Sequence, residues 1–107
     1  MEAGDHEWAC YAAQQAAEKG LEALYQAWGA ESWGHSVTKL VRGLQDRTDV
    51  PEDLVTAGLH LDKLYVPTRY PNGFAEGAPG DYFTRSDSEQ AIAHAEKLLR
   101  FCERHLP

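Results

Sequence analysis

The side chains with most chemistry to offer fall in one stretch, Leu61-Asp62-Lys63-Leu64-Tyr65-Val66-Pro67-Thr68-Arg69-Tyr70-Pro71. A helical pattern runs there into prolines, bringing a carboxylate, an ammonium, two phenols and a guanidinium to one corner. Arginine's planar fork suits bidentate recognition of phosphate. Pro67 and Pro71 fix φ and remove backbone donors, leaving the segment less freedom to lose on binding. Arg69 leads the candidates. It either clamps a phosphate or other anion in a groove, or pairs with Asp62 or Glu76 and fixes the loop. Tyr65 and Tyr70 suit stacking on a base with the hydroxyl on ribose or phosphate; equally, both suit half-buried rings satisfied by backbone. Tyr65 lies on the apolar face of its helix, which favours packing. Asp62 either orients Arg69 or a ribose, or is a solvated helix carboxylate.

His35 and Lys39 are four residues apart and share a helix face. Lys39 would add a second charge for phosphate. His35, just before Ser36, is either a donor near a helix start or a capping or surface residue. The remaining histidines, His6, His60, His94 and His105, lack HxxH or HExxH spacing, so no metal and no cofactor is expected. Ser36, Ser86 and Ser88 all read as helix-start residues, which leaves nucleophilic catalysis without a candidate. Gly73, Gly77 and Gly80 lack the context of a phosphate-binding loop.

These candidates belong to a chain of 107 residues, the length of one domain. Ten basic against 17 acidic residues leave a net charge of −7, which disfavours broad nucleic-acid binding but permits a local basic site. Cys10 and Cys102 have no metal or CxxC spacing and fall on apolar stripes, so they read as reduced core thiols, with a disulfide between the first and last helices as the alternative. With no leader or long apolar run in view, a cytoplasmic or nuclear location is expected, cytoplasmic first.

Four helices position these residues. The first is expected from Asp5 or His6 to Trp28, with Cys10, Ala13, Ala17, Leu21, Leu24 and Trp28 on one face, Asp5 as N-cap and Gly29 as stop. Ala12, Ala16, Ala23 and Ala27 line a second face open to close approach by another helix. Gly20 in mid-helix means tight packing or slack. The tract Gln14-Gln15 and Glu18-Lys19 is either a groove wall or an exposed face. Ser36 caps a short second helix burying Val37, Leu40, Val41 and Leu44. Asp49 and Glu52 around Pro51 open a third, with Leu54, Gly58, Leu61 and Tyr65 inward, which should end before Pro67. A long loop follows over residues 67–83, pinned by Tyr82 and Phe83. The box Ser86-Asp87-Ser88-Glu89 starts the last helix, burying Ile92, Ala95, Leu98 or Leu99, Cys102 and Leu106. The fold class is all-α, an up-and-down helical bundle.

In that order, the helix from Trp8 to Lys19, the element from Gly34 to Leu40, the corner from Leu61 to Pro71 and the closing helix from Ala91 to Leu106 resemble the HEPN domain family over most of the chain. The resemblance implies a helical bundle that usually forms homodimers. It further implies one of three roles: partner or toxin beside a minimal nucleotidyltransferase in a toxin–antitoxin pair, metal-independent ribonuclease, or nucleotide-binding module. Family members commonly carry a further helix upstream; only Met1-Glu2-Ala3-Gly4 precede Asp5, so that helix is read as absent. The ribonuclease branch carries Arg, four to six residues, then His. Arg69 is followed at that spacing by Phe74, Ala75 and Glu76, while the literal match from Arg100 to His105 falls at the C-terminus, where both residues complement a helix dipole.

The expectation is a homodimeric, noncatalytic module binding a nucleotide such as ATP or GTP, or another anion, through Arg69, Tyr70, Tyr65, Lys39, His35 and Asp62. A minimal nucleotidyltransferase is its expected partner. A ribonuclease toxin and a purely structural dimerisation domain are the alternatives.

Overall fold

The computed structural model describes residues 3–32, 34–69 and 83–107, and for residues 3, 4 and 65–69 it describes the backbone. Four helices carry the chain: α1 (Ala3–Ala27), α2 (Val37–Leu44), α3 (Glu52–Arg69) and α4 (Arg85–His105). No strand occurs among the described residues, and none of their helices is long and apolar enough to cross a membrane.

The stripe of α1 is buried as its spacing demands, with Cys10, Ala13, Ala17, Leu21 and Leu24 all in the core. Asp5 lies inside the first turn rather than capping it, and there a carboxylate still complements the helix dipole. The C-terminus closes as a Schellman motif: the Ala30 amide donates to the Tyr25 carbonyl at 2.9 Å, and that of Gly29 to Gln26 at 3.0 Å. Gly29 takes the left-handed φ of 71° that the motif requires. Trp28, just past the helix, packs half-buried on the core and donates from Nε1 to the His105 carbonyl at 3.1 Å.

Ser36 caps α2 as expected, accepting from the Lys39 amide at 3.2 Å. The helix then buries Val37, Leu40, Val41 and Leu44. Helix α3 starts at Glu52, directly after Pro51, and buries Leu54, Val55, Ala57 and Leu61. It does not stop at Pro67 but continues through it to Arg69. A proline deletes one amide and crowds one carbonyl a turn earlier; this close to a helix end, that is a local loss rather than a terminator.

The start of α4 also differs. Its N-cap is Thr84, whose hydroxyl accepts from the Asp87 amide at 3.1 Å while the Asp87 carboxylate accepts from the Thr84 amide at 2.9 Å. The capping box therefore lies two residues before the expected Ser86 and Glu89. The inward stripe becomes Ala91, Ala95, Leu98 and Cys102 with Phe101. Ile92, one step round the helix, is 42% exposed, and Leu106, beyond the last turn, is 47% exposed. Phe83 is buried and anchors the chain as it enters α4; Tyr82 lies outside the described residues.

The three long helices alternate in direction. His6 meets Ser88 and Trp28 meets His105, so α1 and α4 run parallel. Asp53 meets Lys97 and His60 meets His94, so α3 runs against α4. The largest interface is that between α1 and α4. Gly20 lies on it directly under the Leu99 side chain, so the glycine marks tight packing, not slack. Leu21, Leu24, Leu40, Leu44, Leu61 and Leu98 fill the centre at 2% exposure or less, each contributing about 1.5–3 kcal/mol on burial. Cys10 and Cys102 are both free and buried. Burial pushes each thiol up to about 11, Asp87 adding to the effect at Cys10.

Candidate functional site

The chain between α1 and α2 turns back along α1, so α2 begins beside the middle of the first helix. Two side chains of α1 hold it there. Gln14 and Glu18 are one turn apart on the inward face and essentially without solvent contact, at 0% and 1% exposure. Gln14 donates to the His35 carbonyl at 3.4 Å and accepts from Gln15 at 2.7 Å. A Glu18 carboxylate oxygen lies 2.8 Å from Nδ1 of His35. The His35 ring itself is largely in solvent, its side chain 73% exposed. A buried carboxylate therefore fixes a surface imidazole by one nitrogen. The other, Nε2, has no partner among the described residues. With the ring protonated the contact is an ion pair; with it neutral, Nδ1–H donates to the carboxylate.

Asp62 supports the same corner from α3. One of its oxygens accepts from the Ser36 hydroxyl at 2.9 Å, the Thr38 amide at 2.9 Å and the Thr38 hydroxyl at 2.6 Å. The other accepts from the Val37 amide at 3.0 Å. The amides at the start of α2, normally without helical partners, are thus satisfied by a carboxylate from a neighbouring helix. Both of its oxygens accept from the start of α2, so Asp62 is not a merely solvated helix carboxylate. Gly58, one turn earlier on α3, makes the approach close enough: a Cβ there would come within 3.2 Å of the Thr38 Cα and 3.3 Å of its amide nitrogen.

Lys39, on the first turn of α2, is exposed, with no ion-pair partner among the described residues. Helix α3 continues beyond Asp62 for seven residues to Arg69. Seven residues make about two turns, returning position 69 to the same side of the helix about 10 Å further along. The backbone thus brings His35, Lys39 and Asp62 together and aims the end of α3, with positions 65 and 69, from that corner. The side chains of Tyr65 and Arg69, and all of Tyr70, lie outside the described residues.

Glu18 and Gln14 were not singled out from the sequence as site residues. Their signal was a polar pair, four apart, on the same face as Cys10, Ala17 and Leu21. Among the described residues, no group of three or more His, Cys, Asp or Glu gathers as a metal cluster would. The C-terminal Arg and His diverge. Arg100 lies 3.6 Å from Glu96, whereas the His105 ring stacks on Phe101 with centroids 4.1 Å apart. Five residues also set the two positions about 140° apart around α4.

Comparison with known proteins agrees with the bundle. The model of the HEPN domain family matches residues 1–105. Among solved structures, TT1696 from Thermus thermophilus superimposes with a TM-score of 0.90 at 48% identity, over 96% of this chain and 81% of that one. ST0689, an archaeal HEPN homologue, gives 0.79 at 36% identity over 97% and 80%. A HEPN domain protein from Thermotoga maritima gives 0.75 at 38% over 94% and 79%. No curated protein matches. The chain belongs to the HEPN domain family.

Proposed function

We propose that this HEPN domain is a noncatalytic, cytoplasmic binding module that takes a nucleotide, or another phosphate-bearing anion, at the corner formed by His35, Lys39 and the end of α3 with Arg69. The observation that carries the reading is the exposed His35 imidazole held on the buried Glu18 carboxylate. A carboxylate is expensive to bury unless paired, and this one is spent on orienting a ring that faces solvent. Lys39 is exposed on the first turn of α2, three residues after the Ser36 cap, and its ammonium with a guanidinium at position 69 would complete a set of donors suited to phosphate oxygens. In this reading Asp62 binds no ligand; it keeps α2 in place.

The module acts as a homodimer, alone or beside a minimal nucleotidyltransferase. A purely structural dimerisation role has its own support in an apolar groove of about 370 Å³ between α1 and α4, lined by Ala9, Ala12, Ala16, Ile92 and Leu99. The ribonuclease reading is weakened by the lack of a histidine four to six residues beyond Arg69, where Phe74, Ala75 and Glu76 stand.

Histidine ring resonances followed by NMR during addition of ATP test the proposal. Movement of the His35 signals ahead of those of His6 and His105 is expected. Equal or absent movement would overturn the corner as the binding site.

A further inference from the structure

Two imidazoles from different helices meet on the outer edge of the α3–α4 seam. The rings of His60 and His94 have centroids 4.9 Å apart and planes inclined by 34°. His60 is exposed and His94 half-buried, so a solute reaches the pair from solvent. Neither ring is committed to a hydrogen bond among the described residues.

The separation matches a shared ion. Zinc holds imidazole nitrogen at about 2.0–2.1 Å, and with about 1.2 Å more to each ring centre, two rings on one tetrahedral ion have centroids about 5 Å apart. The charges nearby permit it. Lys97, one turn beyond His94, reaches across the seam to Asp53 at 3.2 Å, so its charge is balanced within an ion pair.

We infer that His60 and His94 form a two-imidazole site for a divalent ion of the zinc class, clamping α3 to α4. Water fills the remaining coordination positions, since no third ligand-type side chain joins the pair among the described residues. An open, two-ligand site of this kind exchanges its ion readily. It is invisible to motif spacing because its ligands come from helices far apart in sequence. Bridging the helices means that the ion binds the folded chain in preference to the unfolded one and raises its stability.

Zinc chloride titrated into the full chain near pH 7.5, by calorimetry and by thermal unfolding, tests the inference. Expected are one zinc per chain, a melting temperature that rises with zinc, and affinity at least tenfold weaker in both His60→Asn and His94→Asn but retained in His105→Asn. No zinc binding, or binding that either seam variant leaves intact, would overturn it. So would one zinc per two chains with zinc-dependent pairing, which places the ion between copies.

Discussion

Asp62 on α3 holds Thr38 on α2 twice, by the amide at 2.9 Å and by the hydroxyl at 2.6 Å. Helix α2 is only eight residues long, too short to persist alone, so its position depends on tertiary contacts such as this. Removing the carboxylate in Asp62→Ala strips several donors of their acceptor at once. The expected loss is roughly 2–3 kcal/mol by urea denaturation, with Asp62→Asn between the variant and the wild type. A loss well below 1 kcal/mol would mean that apolar packing alone seats α2.

Gly58 is the companion of that contact. In an exposed helix, Gly→Ala would stabilise by roughly 1 kcal/mol. Here the added methyl would meet backbone of α2, at 3.2 Å from the Thr38 Cα, and backbone does not swing aside as a side chain does. Gly58→Ala is therefore expected to destabilise by roughly 1–2 kcal/mol, and to be less damaging when Asp62 is already alanine. A double-mutant cycle measures this coupling, and strictly additive effects would contradict it.

What was legible in the sequence is what depends on neighbours in sequence. The stripes of α1 and α2, the Ser36 cap and the Gly29 stop are local devices, and each is found. Where one local signal competed with another, the reading slipped. Thr84 and Asp87 form a capping box as well as Ser86 and Glu89 could, and the inward stripe of α4 is led by Ala91 rather than Ile92. Pro67 was given the force of a terminator where a helix near its end absorbs it. The roles of Asp62 and Glu18 are long-range. Which carboxylate meets the start of α2, and which is buried to hold His35, depends on how the helices pack, and no spacing rule reports that.

The two core thiols set an alkaline limit on stability. Each folded-state value is raised from 9.0 to about 11, chiefly by burial. Their contribution is fully present below pH 9 and is lost as pH rises towards 11, because the unfolded chain ionises first. A Cys10→Ala, Cys102→Ala double variant should show a flatter decline over that window in denaturation series. Thiol-modifying reagents should meanwhile react slowly with the native wild type at neutral pH.

His94 sets an acid limit of opposite sign. Its value is lowered from 6.5 by burial, His60 and Lys97, so the unfolded chain takes up the proton first as pH falls. Stability is present above about 6.5 and declines below it. His94→Gln should reduce the slope of stability against pH between 6.5 and 5 without zinc. An unchanged slope would locate the acid-labile group elsewhere.

The measurement that bears most directly on the proposed function is calorimetric titration of ATP and GTP into the wild type and Arg69→Ala, each at low and moderate salt. The account predicts salt-sensitive binding by the wild type, weakened at least tenfold in the variant while its fold is retained. A folded chain that takes up neither nucleotide, or binds them equally with and without Arg69, would contradict it and leave partner scaffolding as the function of this corner.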